Sequence, residues 1–551
     1  MVKKVFNFLT SRVTKTSQAA LLLGLFSLLA KFVAIFRDRA LAYYIGPGET
    51  LDIYYSAFQI PDIVFLVAGS FVAVSVIIPL LHSKEGEVST GIFSDKEKKF
   101  FNSVFSGFLI FVFGISLIAF VFMPFLVRFT APGLVDASRQ ELILLSRIML
   151  ASPILLGLST LFGSIVQKSQ RFVLLALAPI LYNIGILAGI LFLYPLMGSV
   201  GLVVGVIVGA LLHLLVQMPA CLKLKYFPIC SFKPSLSDIK EVFKLSIPRT
   251  LGVSFNQLSL IMLIALASTF VSGSVSLFRL SFNLQSIALG VIGASYAVAV
   301  FPVLSSSYVH GHIEEFKKQF QFSLYQIIFW SLPLSALFIV LRAHIVRVIL
   351  GTSNFDWSDT RITAGALALF ALSFVSQGVV LLCTKTFYAM GKTMRPVLLN
   401  TIGFLLTLFF TWLFLFLFNT HEVLRNMIEG LLRVRGARGT ELLMLPLAFS
   451  VGSLLNMFLV LFFLRKDVGF KLYFWKPFIQ LVVGACATGL FAYLFLHITP
   501  HIFNTTTFQG LLLQGICAGI VGMIGGWSIL YILSNKELLM TTASFRRRFK
   551  L

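Results

Sequence analysis

Uninterrupted apolar runs of about 20 residues or more recur from Ala19 almost to the last residue. This feature restricts the fold more than any other. Within hydrocarbon every backbone N–H and C=O must find a partner inside the protein, which leaves helices or a closed barrel. The runs are continuous and rich in Leu, Phe and Ile, without the two-residue alternation of barrel strands, so they are helices. Only 12% of the residues are charged, against roughly 25% in a soluble domain. The fold class that follows is an all-α polytopic membrane protein.

The hydrophobic pattern predicts fourteen spans, near 17–45, 52–82, 100–128, 141–168, 172–195, 199–224, 242–271, 273–305, 319–350, 361–390, 394–418, 441–465, 477–498 and 508–534. Lys84, Lys96, Lys98 and Lys99 follow span 2, Lys168 and Arg171 span 4, and Lys223, Lys225, Lys233 and Lys240 span 6. Lys317 and Lys318 follow span 8, Lys392 and Arg395 span 10, and Arg465, Lys466 and Lys471 span 12. The connections after spans 1, 5, 7 and 13 carry no Lys or Arg. Basic loops stay in the cytoplasm, so both basic termini are expected there, as an even span count requires. The first apolar run is followed by no small-residue cleavage site and is read as a retained span. One stretch resists the pattern. Residues 419–440 carry Arg425, Arg433, Arg435 and Arg438 on the side that parity places outside; their pattern predicts a short amphipathic helix lying in the interface.

The net charge of +23 belongs to these loops, and no nucleic-acid partner is expected. Cys221, Cys230, Cys383, Cys486 and Cys517 show no metal-ligand spacing and are read as packing residues. Gly391-Lys392-Thr393 imitates the end of a phosphate-binding loop, but Thr386 stands where that motif needs glycine. With no nucleotide site, the energy source expected is an ion gradient or the membrane potential.

The halves resemble each other at an offset of about 220 residues. Phe58-Gln59-Ile60-Pro61, Gly69 and Ile78-Pro79 in span 2 match Phe282-Asn283-Leu284-Gln285, Gly293 and Phe301-Pro302 in span 8. Pro179, Asn183 and Gly185 of span 5 match Pro396, Asn400 and Gly403 of span 11. Two pseudo-symmetric six-helix lobes with two further C-terminal helices are expected, as in transporters built from parallel repeats. The boundaries read as a lobe over 1–228, a cytoplasmic linker over 229–241, a second lobe over 242–470, and spans 13 and 14 with a basic tail over 471–551. Substrate is then expected between the lobes.

Ionisable residues inside spans are costly and mark function by default. Span 1 concentrates them in Lys31, Arg37, Asp38 and Arg39, with Asp52 opening span 2. Lys31 and Arg37 stand about 9 Å apart along a helix axis and about 120° apart around it, so both can reach one cavity, where a diphosphate is the natural anion. The alternative is that Arg37-Asp38-Arg39 is a self-paired helix end. Gln59 and Asp62 of span 2 and Arg279 and Asn283 of span 8 are further cavity candidates. Asn183, Asn256, Gln257, Gln285, Gln377, Lys385 and Asn400 either line a cavity or bond between helices.

Ser27, Lys31, Arg37-Asp38 and Gly46 resemble the S-R-x-L-G-x-x-R-D…G signature of the MurJ (MviN) family of lipid II flippases, with Lys31 in place of its first arginine. Asp52, Phe58 and Pro61 are similar to its D-A-F-x-x-A-F-x-x-P, and Thr130-Ala131-Pro132-Gly133 to its T-A-P-G. Leu251-Gly252-Val253-Ser254 with Gln257, and Ser272-Gly273-Ser274-Val275-Ser276, match further segments. Phe65, Asn283 and Ser286 occupy positions where the family carries arginine, arginine and glutamate. The resemblance implies a bacterial inner-membrane flippase that moves undecaprenyl-diphosphate-linked disaccharide-pentapeptide outward by alternating access. Lys31 and Arg37 would hold the diphosphate, with Arg279 a substitute for the missing arginine. It also implies a tail groove along spans 13 and 14, a sodium site for which Asn256 and Asn400 are the candidates, and cell-wall synthesis proteins as partners. Two other readings stay open: a flippase for another polyprenyl-linked oligosaccharide, and a cation-coupled multidrug exporter using Asp62.

Overall fold

The computed structural model describes residues 16–71, 77, 80, 94–224, 226–231, 234–469, 475–535 and 538. The basic termini, Lys84, Lys225, Lys233, Lys471 and the Ile78-Pro79 step of the repeat lie outside them. Among the described residues the chain is helical, and strand-like pairing is confined to one isolated bridge between Thr352 and Phe355. Eleven helices among the described residues are long and apolar enough to cross a bilayer, twelve if the pair Trp357–Ala371 and Phe374–Ala389, bent by 45°, is one span.

These helices fall on spans 2 to 6 and 8 to 14 of the sequence: Glu49–Gly69, Asp95–Thr130, Asp136–Lys168, Phe172–Met197, Ser199–Leu224, Ser274–Val309, Ile313–Val340, the bent pair, Met394–Thr420, Thr440–Val468, Pro477–Ile498 and Phe508–Ile532. Spans 1 and 7 fall on the helices Thr16–Tyr44 and Leu236–Ala267. Span 7 starts earlier than its apolar run because Ser235 caps it, its Oγ accepting from the Asp238 N–H at 3.4 Å.

The chain forms two compact units, Met1–Ser276 and Leu277–Leu551. In the first, span 2 packs on spans 3 and 4, span 4 on span 6, and span 5 on spans 1 and 6, while span 7 packs on spans 2 and 3. In the second, span 8 packs on spans 9 and 10, span 10 on span 12, and span 11 on span 12; spans 13 and 14 pair, with span 13 against span 9. The neighbour relations 2–3, 2–4, 4–6 and 5–6 thus recur six spans later, which is what a sequence repeat at that offset produces.

Spans 5 and 6 approach along glycine. A Cβ on Gly189 would meet the Gly205 Cα at 2.4 Å, one on Gly185 the Gly209 Cα at 2.3 Å, and one on Gly201 the Leu193 carbonyl oxygen at 2.3 Å. Glycines four apart lie on one helix face, so the two backbones touch where side chains would hold them apart. A π-turn at Gly189–Leu193 interrupts span 5 at this contact, and another at Gly290–Ala294 interrupts span 8.

At one end of the first unit the Glu97 carboxylate takes Lys168 as partner and closes a capping box with Ser94. Asn102 and Ser106, on span 3, receive the backbone N–H groups of Ile229 and Ser231 at 3.0 and 2.7 Å. Those are the basic connections after spans 2, 4 and 6. In the second unit Lys392, at 2.9 Å from Asp467, likewise joins the basic connections after spans 10 and 12.

Candidate functional site

The helix Thr16–Tyr44 carries Lys31 and Arg37 in one unbroken stretch, and the packing of span 1 on span 5 decides what Arg37 meets. Its Nε and Nη2 donate to Asp38 Oδ1 at 2.9 and 2.7 Å. Its Nη1 donates to Asn183 Oδ1 of span 5 at 2.9 Å, and Asn183 Nδ2 donates in turn to the Pro179 carbonyl at 2.9 Å. The self-pairing weighed from the sequence is present, and a bond between helices is added to it. A guanidinium has five N–H donors; three are held here, so the group is aimed as well as paired. Asp38 is buried, whereas Lys31 and Arg37 remain partly exposed.

The other candidates of the first unit separate by what they touch. Asp52 is buried, and its two carboxylate oxygens accept from the backbone N–H groups of Gly273 and Ser276, each at 2.7 Å. The Ser276 N–H belongs to the first turn of the helix Ser274–Leu289 and the Gly273 N–H just precedes it, a place where an anion satisfies orphan donors and suits the helix dipole. Gly273 has φ +94, a left-handed backbone that glycine alone adopts freely. Gln59 is fully buried and donates to the Thr130 carbonyl at 2.9 Å. Gly133, the last residue of the T-A-P-G segment, lies so close to span 7 that a Cβ would stand 1.8 Å from the Ser268 carbonyl oxygen. Asp62 is partly exposed on span 2.

In the second unit, Arg279 and Asn283 are partly exposed on span 8 and Asn400 is buried on span 11. Gln377 Nε2 donates to Gln285 Oε1 at 3.0 Å and to Ser373 Oγ at 2.7 Å, tying span 10 to span 8. Lys385 lies over the Phe301 ring at 5.6 Å. The side chain of Asn256, the other sodium candidate, lies outside the described residues. No cluster of three potential metal-ligating side chains occurs among the described residues.

Sequence reasoning passed over one polar group inside the first unit. Ser159 Oγ on span 4 lies 2.7 Å from His213 Nδ1 and donates to the His213 carbonyl at 3.0 Å, while Gln217 Nε2 donates to Ser159 Oγ at 2.6 Å. His213 and Gln217 stand one turn apart on span 6, a spacing that could have marked a shared partner.

The family model described as "Lipid II flippase MurJ" matches residues 41–513. A relative named as a probable lipid II flippase MurJ, from Buchnera aphidicola subsp. Schizaphis graminum, is 26% identical over 491 residues, covering 87% of this chain and 89% of its own. A solved structure of lipid II flippase MurJ in an inward closed conformation superposes with a TM-score of 0.70 at 20% identity, covering 91% of this chain and 98% of that one. An inward-facing multidrug resistance MATE transporter of the MOP superfamily reaches 0.62 at 14% identity, covering 83% and 98%, so the fold is shared beyond one function. The family model, which spans most of the chain and every N-terminal motif from Asp52 onward, decides between the two: the chain belongs to the MurJ family of lipid II flippases.

Proposed function

We propose that this protein moves lipid II, the diphosphate-linked disaccharide-pentapeptide on its polyprenyl tail, from the cytoplasmic to the periplasmic leaflet of a bacterial inner membrane. Both termini then lie in the cytoplasm. It acts as a transporter and not as an enzyme, by alternating access, with a sodium gradient or the membrane potential as the driving force. The observation that carries this reading is the pair of cations in span 1 of a MurJ family member, one of them aimed by Asp38 and Asn183. Lys31 and the two free donors of Arg37 supply the charge-assisted bonds that a diphosphate takes, while the tail stays in lipid.

The test replaces Lys31 and Arg37 together by Gln and follows the appearance of the head group outside cells depleted of their own lipid II flippase. Loss of one charge-assisted contact costs roughly 1.5–3 kcal/mol, so translocation should fall at least about tenfold for the pair. Lys31→Arg alone, which installs the residue of the family signature, should leave translocation near the native level. Unchanged translocation by K31Q/R37Q at normal membrane abundance would remove these residues from the mechanism. Rescue of those cells by the native chain separates lipid II from another polyprenyl-linked oligosaccharide.

A further inference from the structure

The second unit contains a cavity of about 630 Å3, at the end where spans 9 and 13 finish and span 10 begins. Arg342, Arg361 and Arg433 line it together with His344 and His497, and no carboxylate does. Among the described residues none of the three arginines makes an ion pair. Backbone holds them instead. Arg361 Nε and Nη2 donate to the carbonyls of Arg433 and Arg435 at 2.7 and 2.8 Å. Arg342 Nη1 and Nη2 donate to the carbonyls of Ile339 and Leu432 at 3.3 and 3.4 Å. A carbonyl orients a guanidinium without neutralising it, and two such bonds leave three of the five N–H donors for a ligand. Burial, and then the nearby Arg433, pull the pKa of Arg342 below its ordinary value. Like charges are therefore crowded on one wall, which an anion would relieve.

The surroundings give the depth. Trp357 and Tyr493 also line the cavity and are 60% and 41% exposed; aromatic residues with one wet edge settle at the level of lipid headgroups. Beside them runs the helix Glu422–Leu432, ending in the left-handed turn at Arg433. Its Val423, Met427 and Leu431 form one apolar stripe, all highly exposed, as suits a helix lying on lipid. Its other face is pinned by the buried Glu429, which accepts from Arg425 Nε at 3.1 Å and Thr440 Oγ1 at 2.7 Å.

We propose that this cavity is an anion-binding site at headgroup level, taking the phosphate of a lipid headgroup with net negative charge, or the free phosphate ion as well. The basic 419–440 stretch, anomalous by the charge rule, is then part of a lipid-contacting site. The proposal is independent of Lys31 and Arg37, because its test reads binding and not translocation. The full-length protein is placed in nanodiscs of phosphatidylcholine doped with phosphatidylglycerol, and lipid retention is read by native mass spectrometry. The protein should retain phosphatidylglycerol over phosphatidylcholine. The R342Q/R361Q variant should lose that preference about tenfold or more. Because Arg342 and Arg361 also brace the turn, Arg433→Asn provides a second variant. Asn tolerates the left-handed backbone, so only the charge is lost, and retention should fall severalfold at unchanged thermal stability. Displacement of the lipid by inorganic phosphate would assign the site to the free ion as well. Failure of phosphate to displace it, with the arginine effects intact, would assign it to the headgroup. Equal retention of both lipids by the native protein, or no change in R433N, overturns the proposal.

Discussion

Several of the residues that carry the family resemblance bind other parts of the protein. Asp52 clamps the Ser272-Gly273-Ser274-Val275-Ser276 segment, Gln59 the Thr130 carbonyl, and Gly133 fits against Ser268. One motif therefore recognises another, and the spacing between them in sequence is fixed by a fold contact. Asp52→Ala would strand two buried N–H groups, each costing about 1–3 kcal/mol. The expected outcome is a marked fall in the thermal unfolding temperature of purified protein, with Asp52→Asn retaining part of the loss. Transport normalised to folded protein should stay near native in D52N; a tenfold drop there would return Asp52 to the substrate path. From sequence alone Asp52 and Arg37 look alike, as charges in apolar surroundings. Only the partners distinguish them, a helix N-terminus for one and an amide on a neighbouring span for the other.

At the level of elements, the glycine seam of spans 5 and 6 brings two helix backbones into direct contact. Gly201, Gly205 and Gly209 stand four apart in span 6, facing Gly185 and Gly189 of span 5. The repeat pattern pairs Gly185 with Gly403, while the seam's own four-residue spacing is legible in the sequence of span 6. Its partner face could not be read, because period alone does not say which helix lies opposite. Gly205→Ala should force the helices apart, costing about 1–3 kcal/mol as an overpacked contact, and Gly205→Leu should abolish folded protein on size-exclusion chromatography. Gly114, where a Cβ would meet nothing within 4 Å, should accept Ala without loss, and equal damage at both positions would sink the seam as the cause. The segment 419–440 shows the converse case: its helical period was readable, but its anchorage through Glu429 joins residues eleven apart across a turn, beyond what periodicity reports.

For the whole molecule, the alternation of basic and uncharged connections predicts which side of the membrane each loop faces. Cys230 is exposed on the connection after span 6, so a membrane-impermeant maleimide should label it in inside-out vesicles and not in intact spheroplasts. Thr506→Cys, on the connection after span 13 and in a background with Cys230, Cys486 and Cys517 replaced by serine, should show the opposite. Labelling of both from one side would refute the assigned topology. Hydrophobic length and charge asymmetry by themselves determined the class of this protein, because a bilayer imposes its thickness and its side preference on any sequence that crosses it. Matched residues at a fixed offset pointed to the repeat as well, since copies of one packing problem keep similar residues at similar places. What only tertiary structure decided is which polar groups are already taken. Arg37 is shared between Asp38 and Asn183, Asp52 is spent on a helix end, and Arg342 and Arg361 are oriented by carbonyls without being neutralised. The long-range members of these pairings join residues from 72 to 224 positions apart, and no local pattern encodes a partner at that distance.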